Sequence, residues 1–123
     1  MALRMLALSV ALVAATAASA HHPGSHAARQ PDGRVQLDLA VTVRDSCTRV
    51  AEVAAGPPPG VAAAPGASPV TVRLARSGDA CEAAASVIRA ERSLALPGQA
   101  GQILVYVLGT DGALASTERV PLR

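Results

Sequence analysis

The three histidines are the residues of this chain whose type and spacing are best suited to chemistry. His21, His22 and His26 lie within six positions of one another. If a leader is removed after Ala20, His21 becomes the first residue and offers both an α-amino group and an imidazole. Nitrogen ligands of this kind suit Ni(II) and Cu(II), and Cu(II) binds most tightly in the divalent series. One hypothesis is therefore a copper or nickel ion held by these three histidines, and the alternative is a solvated polar segment without a metal.

The removal of such a leader is predicted by the first twenty residues. Arg4 gives a short positive start, a run of apolar side chains follows from Met5 to Ala15, and small residues stand at 18 and 20. This is the order of a secretory signal peptide, and its apolar run is too short to span a bilayer. We expect cleavage between Ala20 and His21. The mature protein is then periplasmic or secreted, with no membrane span after signal removal.

Most catalytic arrangements need a histidine inside the fold, and the sequence offers none after His26. Serine and cysteine nucleophiles paired with histidine are thus disfavoured, as is zinc catalysis. Tyr106 is the only aromatic residue, so a stacking platform for sugars or bases is missing. We predict that the protein is not an enzyme and holds no cofactor, apart from the copper or nickel alternative.

The charge of the chain argues against nucleic acid as a partner. The net charge is +2, and removal of Arg4 with the signal peptide leaves ten basic residues against nine acidic ones, a net charge of +1. No two basic residues are adjacent, so there is no basic patch in the sequence.

Two cysteines, Cys47 and Cys81, predict a disulfide. The count is even and an exported protein reaches an oxidising compartment. A small core built from Val, Leu and Ala without Phe or Trp gains comparatively little from burial, so a covalent link between distant segments is a useful source of stability.

Apolar and polar residues alternate with a period of two over several stretches, which is typical of strands with one buried face. Residues 35–44 are the clearest case, and residues 70–76 follow the same pattern. Residues 114–122 predict a more polar strand that forms a hairpin with the strand before it. Residues 102–108 are nearly all apolar, which predicts a central strand covered on both faces. We expect a flexible leader over 21–33 and a single β-rich domain over 34–123.

Two segments are ambiguous. Residues 46–55 and 80–92 fit strands, but Ser46 could cap a helix in the first, and Asp79 with Glu82 resembles a capping box before the second. We favour an all-β, immunoglobulin-like sandwich of about six to seven strands with one disulfide. The alternative is an α+β fold with helices near 46–55 and 80–92 on a four-stranded sheet.

A loop at 56–69 holds five of the nine prolines and three glycines. Pro57, Pro58 and Pro59 are candidates for contact with a partner, because a proline run is extended and can be read by another protein; the alternative is a plain connecting loop. The leading hypothesis is an exported, non-catalytic module that binds another envelope or extracellular protein or has a structural role in the envelope. The alternatives are metal binding by the histidines and a small secreted protease inhibitor.

Overall fold

The computed structural model describes residues 24–98 and 100–123. The predicted signal peptide, its cleavage site, His21 and His22 lie outside the described residues. Seven strands and no helix occur in the described ranges, which confirms the all-β prediction. The strands are β1 (His26–Arg29), β2 (Val35–Val43), β3 (Thr48–Ala55), β4 (Ser68–Arg76), β5 (Ser86–Leu94), β6 (Gln102–Leu108) and β7 (Leu114–Pro121).

The strands form two sheets that share one core. One sheet has the order β1-β2-β5 and the other has the order β3-β4-β6-β7. All neighbouring strands are antiparallel except β4 and β6, which run parallel. The chain therefore leaves the four-stranded sheet after β4, contributes β5 to the other sheet, and returns as β6. A parallel bridge between Ala27 and Leu122 joins the two sheets along one side.

Alternation along β2 produces the inner face of the three-stranded sheet. Its five odd-numbered residues, from Val35 to Val43, are all buried, while the residues between them are exposed or half-buried. Opposite them lie apolar residues of β4, β6 and β7. The core cluster comprises Ala27, Val35, Leu37, Leu39, Val41, Val43, Val70, Val72, Ala90, Leu96, Ile103, Val105, Val107 and Val120.

The ambiguous segments 46–55 and 80–92 each contain a strand, β3 and the first part of β5, and neither contains a helix, so the α+β alternative is wrong. Residues 48–55 form β3, and every residue of β5 pairs with β2. The apparent capping box does not start a helix, because Glu82 is held differently: its amide donates to Ser46 Oγ at 2.9 Å and its carbonyl accepts from the Ser46 amide at 3.0 Å.

The prediction of a flexible leader over 21–33 needs a correction. β1 lies inside this range and pairs with the first half of β2, in a register that sets His26 opposite Asp38. Ala27 is buried in the core, and the Arg29 amide donates to the Arg123 carbonyl at 2.8 Å. Because the strand is only four residues long, its alternation was too short to detect in the sequence.

The central strand β6 is covered on both faces, as predicted. Ile103, Val105 and Val107 belong to the core between the sheets. Tyr106 and Leu108 point to the opposite, outer face of the four-stranded sheet and are still only 4% and 5% exposed.

Candidate partner-binding surface

We define the proline loop as residues 56–67, which connect β3 to β4. It is fastened at both ends: the Gly56 amide donates to the Pro69 carbonyl at 2.9 Å, and Thr71 Oγ1 donates to the Gly56 carbonyl at 2.7 Å. Thr71 is buried and pairs in register with Tyr106. The loop thus begins on the outer face of the sheet, next to the strand position that pairs with Tyr106.

The middle of the proline loop contains a tight turn. The Val61 amide donates to the Pro58 carbonyl at 3.1 Å, with Pro59 and Gly60 as the two central residues. Gly60 has a φ of +78°, and a proline followed by a glycine with positive φ is typical of a type II turn. The sequence Pro-Gly therefore gives this loop a defined shape.

The exposed surface of the proline loop is uncharged. Pro58 is buried, and Pro57 and Pro59 flank it on the surface; contact of these prolines with a partner stays a prediction. The exposed residues of the loop are Pro57, Pro59, Gly60, Ala62, Ala63, Pro65 and Gly66. Together they present a small apolar ridge.

The outer strands of the sheets are less suited to contact a partner. β3, β5 and β7 are terminal strands of their sheets, and each bears charged residues, including Glu52, Arg92 and Arg119. Charges and a terminal proline, such as Pro121 in β7, are devices that discourage strand addition. Between these outer strands and the proline loop, the geometry thus favours the proline loop as a contact region.

The disulfide is confirmed and lies at the end of the sandwich opposite to the proline loop. Cys47 precedes β3 and Cys81 lies in the connection from β4 to β5, with an S–S distance of 2.02 Å. The Ser77 amide also donates to the Cys47 carbonyl at 2.9 Å. The bridge therefore fastens the segment that crosses from one sheet to the other.

Asp45 stabilises the turn before Cys47. Its Oδ1 accepts hydrogen bonds from Thr48 Oγ1 at 2.8 Å and from the Cys47 amide at 2.9 Å. Both hydrogen bonds lower the pKa of the Asp45 carboxyl group, and the bond from Thr48 has the larger effect. Asp45, Cys47 and Cys81 form a close group of potential metal ligands, but the two sulfurs are bonded to each other, so the group has a structural role.

His26 is exposed on β1, on the outer face of the three-stranded sheet. It lies opposite Asp38, whose carboxylate binds Arg89 Nε at 3.0 Å. The hydrogen bond to Asp38 raises the pKa of Arg89. No group of three metal-ligating side chains in the described ranges includes His26. The copper or nickel hypothesis stays a prediction, since His21 and His22 lie outside those ranges.

The sequence analysis missed a second surface feature. A cleft of about 480 Å³ is lined by Arg29, Gly98, Ala100, Leu122 and Arg123, which we call the arginine cleft. The two arginines are 94 positions apart, so no local motif indicates their proximity; only the pairing of β1 with the end of the chain brings them together.

Comparisons with known proteins give no relative from which a function could be transferred: no family model, curated protein or solved structure matches this chain. Among residues 24–98 and 100–123 there is no helix with the length and apolar character needed to cross a membrane. The case for a function therefore depends on the surfaces described above.

Proposed function

We propose that this protein is an exported, non-catalytic β-sandwich module that binds another envelope or extracellular protein through the proline loop. The observation that carries the proposal is the combination of a loop fastened at Gly56 and Thr71 with an exposed apolar ridge that contains Pro57 and Pro59. Apolar residues are normally exposed singly, and a group of them held in one shape suits contact with a partner.

The fixed shape of the loop matters because binding must overcome the entropy lost when a contact surface becomes ordered. Buried Pro58, the turn at Pro59-Gly60 and the Thr71 hydrogen bond order the loop before any partner arrives. Prolines add to this effect, because their φ is already restricted. Because an ordered loop loses little entropy on binding, it needs fewer contacts with a partner to reach a given affinity.

The disulfide and the signal-like leader support the extracytoplasmic part of the proposal. Disulfides persist in oxidising compartments, and Cys47 and Cys81 are bonded. A small domain with a core of aliphatic residues also benefits from such a bond where chaperone support is limited. A protease inhibitor would contact its target through the same loop. The inhibitor function is therefore distinguished from the binding module by whether the captured partner is a protease.

Site-specific photo-crosslinking in the cells of origin tests the proposal. A photoreactive amino acid replaces Ala62 or Ala63 on the exposed ridge, and a matched control carries it at Ala115, which is exposed on β7. We expect one discrete crosslinked protein from the two loop positions and none from the control. Equal crosslinking at Ala115, or none at either loop position, would contradict the proposal.

A further inference from the structure

The free edge of β5 is the longest open strand edge among residues 24–98 and 100–123. β5 pairs with β2 over all of its 9 residues without a bulge, and no strand of these ranges pairs with its other side. The other terminal strands are shorter or interrupted: β3 contains a bulge between Val50 and Glu52, β7 ends at Pro121, and β1 has 4 residues. A long and regular free edge is the feature of a sheet that accepts a further strand.

The register of the three-stranded sheet determines which backbone groups of β5 lie on this edge. The Ala40 amide donates to Ser25 Oγ, on the β1 side of β2, at 3.0 Å. Because backbone groups alternate in direction along a strand, the even-numbered residues of β2 face β1 and the odd-numbered ones face β5. Their partners in β5 are even-numbered. The amides and carbonyls that point to the free edge therefore belong to the odd-numbered residues of β5, which are Val87, Arg89, Glu91 and Ser93.

Two arginine side chains bind carbonyls of this edge. Arg92 Nη1 donates to the Glu91 carbonyl at 2.8 Å, and Arg34 Nη2 donates to the Ser93 carbonyl at 2.8 Å. Arg34 is held further by a 2.9 Å bond from its Nε to Ser93 Oγ. Both guanidinium groups thus bind acceptors that the amides of an added strand would need. Charged side chains at a sheet edge discourage strand addition, and here the contacts that do so are direct.

The charges of β5 are complementary to those of a second β5 that runs antiparallel to it. When Ala90 of one copy lies opposite Ala90 of the other, Arg89 lies opposite Glu91 of the second copy, and two-fold symmetry repeats the pair. In this register odd-numbered residues lie opposite odd-numbered ones, so the free-edge groups of the two strands face each other. Glu91 gains from such pairing, because within one chain it lies in register opposite another carboxylate, that of Asp38.

We propose that the free edge of β5 is a pairing surface for a second copy of this chain, and that Arg34 and Arg92 keep it closed. Removal of the two guanidinium groups frees the Glu91 and Ser93 carbonyls. Two β5 strands then join two three-stranded sheets into one sheet of six strands. The assignment is independent of the proline loop, because that loop connects two strands of the other sheet.

The oligomeric state of Arg34→Ala combined with Arg92→Ala, the uncapped variant, tests the proposal. We expect it to dimerise at a concentration at least about tenfold lower than the native protein, as measured by sedimentation velocity. Arg49→Ala combined with Arg119→Ala is the matched control, because it removes the same charge from the four-stranded sheet and should leave the oligomeric state unchanged. All four arginines are exposed, and an unchanged circular dichroism spectrum establishes that both variants are folded.

Hydrogen exchange locates the interface. The amides of Ile88 and Ala90 face β2 and should exchange at the same rate in the monomer and in the dimer of the uncapped variant. The free-edge amides should exchange at least about tenfold more slowly in the dimer, because each then donates to a carbonyl of the second copy. These are the amides of Val87, Arg89, Glu91 and Ser93.

A charge reversal tests the register. Glu91→Arg, added to the uncapped variant, sets a positive charge opposite Arg89 of the second copy and should weaken dimerisation at least about tenfold.

Three results would overturn the proposal. The first is an uncapped variant that dimerises no more readily than the Arg49 and Arg119 control. The second is a dimer in which the free-edge amides of β5 keep the exchange rates of the monomer. The third is unchanged dimerisation after Glu91→Arg.

Discussion

The Thr71 hydroxyl donates a 2.7 Å hydrogen bond to the Gly56 carbonyl, and this contact determines the face of the sheet on which the proline loop begins. Thr71 is a buried polar residue of β4 with its side chain on the outer side of the sheet. The loop consequently starts on the outer face of β4, where Thr71 pairs with Tyr106 of β6.

Replacement of Thr71 by valine removes that bond at nearly constant volume. The Gly56 carbonyl then loses its partner, which should lower the free energy of unfolding by about 1–3 kcal/mol. We also expect faster hydrogen exchange at the amides of Gly56 and Val61. Urea denaturation and exchange measurements check both effects, and Thr117→Val, an exposed position opposite Tyr106, is the matched control. Equal stability of the two variants would contradict this role of Thr71.

Leu37 tests the packing between the two sheets. It is fully buried in the first half of β2, and Leu37→Ala should destabilise the protein by about 2–5 kcal/mol, because a cavity remains in a core made only of aliphatic side chains. Val87→Ala on β5 is the control, since Val87 is 39% exposed. Thermal denaturation measures both. A loss for Leu37→Ala no larger than that for Val87→Ala would show that the sheets do not pack as described.

The disulfide should account for a large part of the stability. The cysteines are 34 positions apart, and the chain-entropy estimate for such a loop is about 3.5–4 kcal/mol. Cys47→Ala combined with Cys81→Ala should reduce the free energy of unfolding by about 2–4 kcal/mol in urea. A decrease below about 1 kcal/mol would mean that the crossing segment is held well enough by the hydrogen bonds between Glu82 and Ser46 and by those from Ser77 to the Cys47 carbonyl.

Asp45 should contribute to acid sensitivity. Its pKa is lowered in the folded state by the Thr48 and Cys47 hydrogen bonds, so the stabilisation is fully present above the ordinary pKa of about 4 and is lost as the pH falls through the lowered folded value. The urea midpoint of the native protein should therefore fall between neutral pH and about pH 3 more steeply than that of Asp45→Asn. Parallel pH profiles for the two proteins would contradict this contribution.

The strands that could be predicted were those with long alternation or an unbroken apolar run. β2 was predicted over residues 35–44, within one residue of its observed bounds, because five apolar residues alternate without interruption. β1 could not be predicted: it is four residues long, and its partners are β2 and the end of the chain. The parallel pairing of β4 with β6 was also absent from local patterns, since it depends on where the chain returns after β5.

The candidate surfaces were predictable to a similar, limited extent. The composition of residues 56–69 indicated an exposed loop, but burial of Pro58 results from contacts that the sequence does not show. The arginine cleft depends wholly on tertiary structure. The cysteine pair, in contrast, was predictable because a count of two leaves one possible pairing.

The most direct test of the proposed function is the affinity of the crosslinked partner for variants of the proline loop. Purified partner is titrated against the native protein, Pro57→Ser combined with Pro59→Ser, and Pro97→Ser as an exposed proline outside the loop. We expect at least a tenfold higher Kd for the double variant, equivalent to about 1.4 kcal/mol, and an unchanged Kd for Pro97→Ser. An unchanged Kd for a folded double variant would contradict binding through the proline loop.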